Sequence, residues 1–87
     1  NYMQDVISAL LDQIILEGKK QGLEQKDIAR KAGISQETLS RAKKASDIQL
    51  STLIRLANAV GLKVALSPAA PVLEKILSGD VLREDRP

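Results

Sequence analysis

Apolar residues recur every three or four positions along most of the chain, which is the spacing of helices that bury one face. The pattern predicts four helices, over about residues 3–21, 24–32, 36–44 and 49–60. The wide apolar stripe of the first helix consists of Val6, Ile7, Leu10, Leu11, Ile14 and Ile15. The fourth helix is expected to bury Leu50, Leu53, Ile54, Ala57 and Val60. An all-α fold follows from this pattern.

Residues that commonly cap or terminate helices occur where these helices are expected to begin and end. Gly22, Gly33 and Gly61 follow the first, second and fourth helices, and glycine readily takes the left-handed conformation that closes a helix. Ser35 is placed to cap the third helix with its hydroxyl. Gly18, inside the first helix, is expected to bend or fray it.

A different pattern follows the fourth helix. Leu62, Val64 and Leu66 alternate with other residues, which predicts a short strand over 62–66. The chain offers this strand no partner, so we expect it either to pair with its copy in a second subunit or to be an extended loop. Pro71 and Gly79 bound a predicted last helix over 72–78, followed by a charged tail. The expected organisation is a domain over 1–66, with the strand 62–66 for dimerisation, and a C-terminal helix and tail over 67–87.

Composition narrows the possible chemistry. The 87 residues contain no cysteine and no histidine, which excludes thiolate and imidazole metal ligands and the commonest nucleophiles and general bases. We therefore expect no enzyme, no metal site and no cofactor. No apolar run approaches the ~20 residues of a membrane span, and no signal peptide is visible, so a cytoplasmic protein with no membrane partner is expected.

Charge is uneven along the chain. Residues 18–48 contain eight basic and four acidic residues, whereas residues 1–17 contain three acidic residues and no basic one. The middle of the chain therefore either meets an anionic partner or is a solvated charged surface.

The second and third predicted helices form a helix-turn-helix pattern. Small Ala29 allows the two helices to cross closely, Gly33 makes the turn, and Ile34 fills the angle between them. Leu39 and Ala42 are expected to pack the third predicted helix onto the second. Such a pair sets its second helix at roughly 90–120° to the first and leaves one face free to enter a major groove.

The run from Leu23 to Arg41 resembles the phage repressor/Cro-like family, also called the xenobiotic-response-element family. Residues 50–62 resemble the fourth helix of that family, and the strand over 62–66 resembles its antitoxin subset. The resemblance implies a lambda-repressor-like bundle of about five helices that binds double-stranded DNA. Glu24 departs from the family's common Ser or Thr, which implies a poorer cap for the second helix.

The resemblance implies that the predicted helix over 36–44 is the recognition helix, which enters the major groove. Its candidate base contacts are Gln36, Glu37, Thr38 and Arg41. Gln36 can pair with adenine, Arg41 with guanine, and Thr38 can touch a thymine methyl group. Glu37 either accepts from a cytosine amino group or only complements the helix dipole. The candidate phosphate contacts are Gln25, Ser40, Lys43 and Lys44. The alternative for all of them is plain helix surface.

The expected function is sequence-specific transcriptional regulation as a repressor. A homodimer would place its two recognition helices ~34 Å apart on an inverted repeat. The residues expected to hold this dimer together are Leu62, Val64 and Leu66. One alternative is an antitoxin that also binds a protein toxin through residues 67–87. Another is a helix-turn-helix module that binds only proteins and has no DNA sequence preference.

Overall fold

A computed structural model describes residues 1–69, which form four helices. They are α1 (Tyr2–Lys20), α2 (Gln25–Ala32), α3 (Gln36–Ala42) and α4 (Leu50–Ala59). All four predicted helices are confirmed, with ends that differ from the prediction by at most two residues. The predicted last helix over 72–78 and the charged tail lie outside the described residues. Most of the segment 67–87, the candidate contact with a protein toxin, also lies outside them.

Local hydrogen bonds set the helix ends. Asn1 caps α1, because its side-chain oxygen accepts from the backbone N–H groups of Met3 and Gln4 at 2.9 and 3.2 Å. Helices α1, α2 and α4 are each followed within two residues by a glycine with φ near +80°. In each case the next residue is apolar and donates its N–H to the carbonyl five residues back, as in Leu23→Gly18, Ile34→Ala29 and Leu62→Ala57. The predicted glycine stops are therefore confirmed as Schellman-type ends.

Helix α2 lies at the centre of the bundle and packs against α1, α3 and α4. One side chain from each helix is almost completely buried, namely Leu11, Ile28, Leu39 and Leu56. Within residues 1–69 the buried set contains no polar or charged side chain. The core is therefore held by aliphatic packing alone. Among the same residues, no helix combines the length and the apolar character that crossing a membrane requires.

The prediction for the buried face of α4 is wrong at two positions. Leu50 is 62% exposed and Ile54 is 37% exposed, whereas Leu56 is fully buried. Apolar residues occur on most sides of α4, so the spacing of these residues is compatible with more than one buried face. Packing against α2 selects the face that carries Leu56, Ala57 and Val60.

The prediction that Gly18 frays α1 is also wrong, whereas a bend at this residue stays a prediction. Helix α1 is continuous from Tyr2 to Lys20, and Gly18 is buried within it. A Cβ at this position would lie 2.5 Å from Cδ1 of Ile28 and 3.2 Å from Cγ1 of Val60. The glycine therefore lies where α1 approaches α2 and the end of α4 too closely to leave room for a side chain.

Residues 62–69 have no regular secondary structure, so the predicted strand over 62–66 is not confirmed. Leu62 is half-buried against the core, and its N–H already bonds Ala57 at the end of α4. Val64 and Leu66 are 37% and 99% exposed. A strand that pairs only with a second copy has no partner within one chain, so pairing across a dimer stays a prediction.

Candidate nucleic-acid interface

The turn between α2 and α3 is built by three consecutive residues. Gly33 has φ 79° and ψ 25°, a left-handed conformation that lets the chain reverse sharply. Ile34 then packs against the core. Ser35 caps α3, because its Oγ accepts from the backbone N–H of Thr38 at 3.1 Å. The predicted helix-turn-helix and its serine cap are therefore confirmed.

Leu39 anchors α3 to the bundle, since it is the buried residue of this helix. The opposite side of α3 is open. Gln36, Glu37, Ser40 and Arg41 are all exposed and line one surface cavity of about 450 Å³. Three of the four candidate base contacts thus share one accessible face with Ser40.

Thr38, the fourth candidate base contact, has a different environment. It is half-buried, and its hydroxyl lies 2.8 Å from Oγ of Ser35. The hydroxyl therefore takes part in the cap of α3. The methyl group is the part of this side chain that suits the predicted contact with a thymine methyl.

Helix α3 is shorter than predicted, since it ends at Ala42 and not at residue 44. The N–H of Lys44 bonds the carbonyl of Arg41, three residues back, at 3.0 Å, and Ala45 bonds Ala42 in the same way at 3.2 Å. This tighter pattern ends the α-helical ladder. Lys43 and Lys44 therefore lie in a turn that follows the recognition helix and not in the helix itself.

A second surface cavity, of about 410 Å³, lies where α1, α2 and the end of α3 meet. We call it the basic cleft. Its lining residues are Ser8, Gln25, Ser40, Lys43 and Lys44. All four candidate phosphate contacts lie around this one cleft. Ser8 was not predicted to be part of this cleft, because the residue pattern of the first helix does not indicate contacts with residues 30 to 40 positions away.

The cations of this region are not neutralised locally. Three ion pairs occur among residues 1–69, namely Lys20–Glu17, Lys26–Glu24 and Arg30–Asp27. None involves Arg41, Lys43 or Lys44, so within the described chain the charges at the end of α3 remain available to an anion.

Asp27 organises the start of α2. Its carboxylate accepts the backbone N–H of Glu24 at 2.9 Å and bonds the guanidinium of Arg30 at 2.7 Å. The Glu24 N–H and then the nearby cations of Arg30 and Lys26 hold the pKa of Asp27 below its usual value. The expected weakness of the cap at Glu24 is thus compensated from inside the helix, directly beside Gln25.

An apolar groove, of about 140 Å³, lies apart from both polar cavities and shares no residue with them. Leu10 and Ile14 of α1 form one wall, and Leu53 and Ala57 of α4 form another. Gln13, Leu62, Lys63 and Val64 complete the lining. Two of the three candidate dimerisation residues therefore lie at this groove. Within residues 1–69, no group of three or more acidic side chains is placed to hold a metal ion.

Comparison with known proteins gives one match. A family model described as helix-turn-helix matches residues 15–66, from the last turns of α1 to the segment after α4. This is more than half of the chain. No curated protein and no solved structure matches significantly.

Proposed function

The chain belongs to the helix-turn-helix family of Cro/C1-type DNA-binding regulators, and we propose that it represses transcription by binding an inverted-repeat operator as a homodimer. The observation that carries this proposal is the joint position of the open face of α3 and the basic cleft. The first offers groups that can read base edges, and the second offers unpaired cations for the adjoining phosphates.

The base-reading roles follow from the chemistry of the exposed side chains. Arg41 can donate two hydrogen bonds to guanine, and Gln36 can both donate to and accept from adenine. Each such pair discriminates against the wrong base by about 1–3 kcal/mol. Glu37, one helical turn before Arg41, can accept from a cytosine amino group or complement the N-terminal end of the α3 dipole.

The phosphate-binding roles belong to the residues around the basic cleft. Lys43 and Lys44 supply charge, while Gln25 and Ser40 supply uncharged donors. These contacts carry no sequence information, but they fix the depth and the angle at which α3 enters the groove.

The apolar groove supports the homodimer. Exposed Leu50 and Ile54 lie on α4 beside its groove-lining residues, and Leu10 is 39% exposed on α1. Apolar surface of this kind is unfavourable in water and is covered when two copies associate. Val64 and Leu66 would extend the contact, and the groove's separation from the polar cavities leaves α3 of both copies free for DNA. The antitoxin alternative uses the same DNA-binding face and adds a toxin at residues 67–87.

The test is selection of bound sites from random duplex DNA. The wild type is expected to enrich an inverted repeat, and Arg41→Ala is expected to lose its base preference at one position in each half-site. Arg55→Ala is the matched control, because it removes the same side chain from an exposed position that lines neither polar cavity. If no sequence is enriched and binding only fades with salt, the operator-binding proposal is wrong.

A further inference from the structure

Two glutamines, Gln4 in the first turn of α1 and Gln21 directly after its last residue, make the same kind of long-range hydrogen bond. Nε2 of Gln4 donates to the backbone carbonyl of Lys44 at 2.7 Å. Nε2 of Gln21 donates to the carbonyl of Val60, also at 2.7 Å. Each bond satisfies a carbonyl near the C-terminal end of a helix, where the helix itself supplies no donor.

The two bonds differ in what they hold. The Gln4 bond reaches the turn that carries Lys43 and Lys44. Ser8, one helical turn after Gln4, lines the basic cleft together with these lysines. Gln21 and Val60 line neither polar cavity.

In the connection between α3 and α4, Ile48 packs against the core, but few side-chain hydrogen bonds hold the turn before it. Within residues 1–69, the Gln4 bond is the side-chain hydrogen bond that ties residues 43–49 to another helix. The other side-chain bond of this segment is local, from the N–H of Ile48 to Asp47. Without Gln4, the carbonyl of Lys44 would have only water as a donor, and the turn would lose its side-chain hydrogen bond to α1.

We propose that Gln4 is a positioning residue for DNA binding, which fixes the turn at Lys44 against α1 so that the ammonium group of Lys44 faces the phosphates. This rests on the proposed function. A lysine held in place loses less conformational freedom when it meets a phosphate than a lysine on a loose turn does. Gln4 itself does not touch DNA in this account, and its effect passes through Lys44.

The experiment measures affinity for duplex DNA by fluorescence anisotropy at several salt concentrations, using the full chain. Gln4→Ala is expected to weaken binding by about three- to tenfold, the range of one uncharged hydrogen bond. The dependence of log K on log salt should become shallower, by at most about one, as one phosphate contact is weakened. Gln4→Met keeps the length and packing of the side chain without its donor and should reproduce the loss.

Two further variants separate positioning from general stability. Gln21→Ala removes the matched bond and should lower the melting temperature without changing affinity or salt dependence. In a Lys44→Ala background, Gln4→Ala should have no further effect on affinity, because the group it positions is gone.

Three results would be decisive against this role. They are unchanged binding by both Gln4 variants, an equal loss from Gln21→Ala, or an undiminished Gln4→Ala effect in the Lys44→Ala background. If the wild type itself does not bind duplex DNA, the proposed function fails first, and the positioning role fails with it.

Discussion

The close approach at Gly18 leads to a prediction that opposes the effect of helix propensity. In an open helix, replacing glycine by alanine stabilises by about 1 kcal/mol, since alanine loses less backbone freedom on folding. At Gly18 the new methyl group would lie 2.5 Å from Cδ1 of Ile28, which is fully buried. Overpacking of this kind costs about 1–3 kcal/mol. Gly18→Ala is therefore expected to destabilise the protein by about 0–2 kcal/mol, despite its better helix propensity.

A double-mutant cycle isolates the steric part of this effect. Ile28→Val removes Cδ1, the atom nearest to the added methyl group. In the wild type this substitution should cost about 0.5–1.5 kcal/mol, as a buried methyl group is lost. In the Gly18→Ala background it should cost nothing or restore stability, which gives a coupling of at least about 0.5–1.5 kcal/mol between the two sites.

Urea unfolding followed by circular dichroism measures all four proteins of the cycle. Ala9→Gly provides the propensity control, because Ala9 is exposed on the same helix. If Gly18→Ala stabilises the protein by as much as Ala9→Gly destabilises it, the space beside Gly18 is free and the steric argument is refuted. Additive effects of the two core substitutions would refute it as well.

Two further predictions test the register of α4 and the cap of α2. In the dissociated monomer, Leu56→Ala should reduce the free energy of unfolding by about 2–5 kcal/mol, whereas Leu50→Ala should change it by less than about 0.5 kcal/mol. Similar losses in urea unfolding of the monomer would mean that the assigned buried face is wrong. The lowered pKa of Asp27 makes its contribution to stability complete above the unfolded-state pKa of about 4 and lost as pH falls through the folded-state value. The melting temperatures of wild type and Asp27→Asn should therefore differ at pH 7 and converge in acid, and a constant difference would contradict the assigned role of the carboxylate.

Much of the candidate site could be anticipated, because its signals act over a few residues. Gly33 and Ser35 specify the turn and the start of α3 through backbone conformation and one local hydrogen bond. The exposed positions of α3 follow from the buried Leu39 and the helical repeat. The end of α3 was placed two residues late, because the change to three-residue hydrogen bonds leaves no mark in the residue pattern around Lys43.

The set of helices, the glycine-marked ends of α1, α2 and α4, and the helix-turn-helix follow from the amino-acid sequence, since periodicity, glycines and caps are local properties of the chain. The tertiary structure alone decided which apolar face of α4 is buried, why Gly18 must be small, and that Gln4 reaches Lys44. Each of these depends on a contact between residues far apart in sequence. Local preference leaves such contacts open, and the packing of four helices around α2 selects among them.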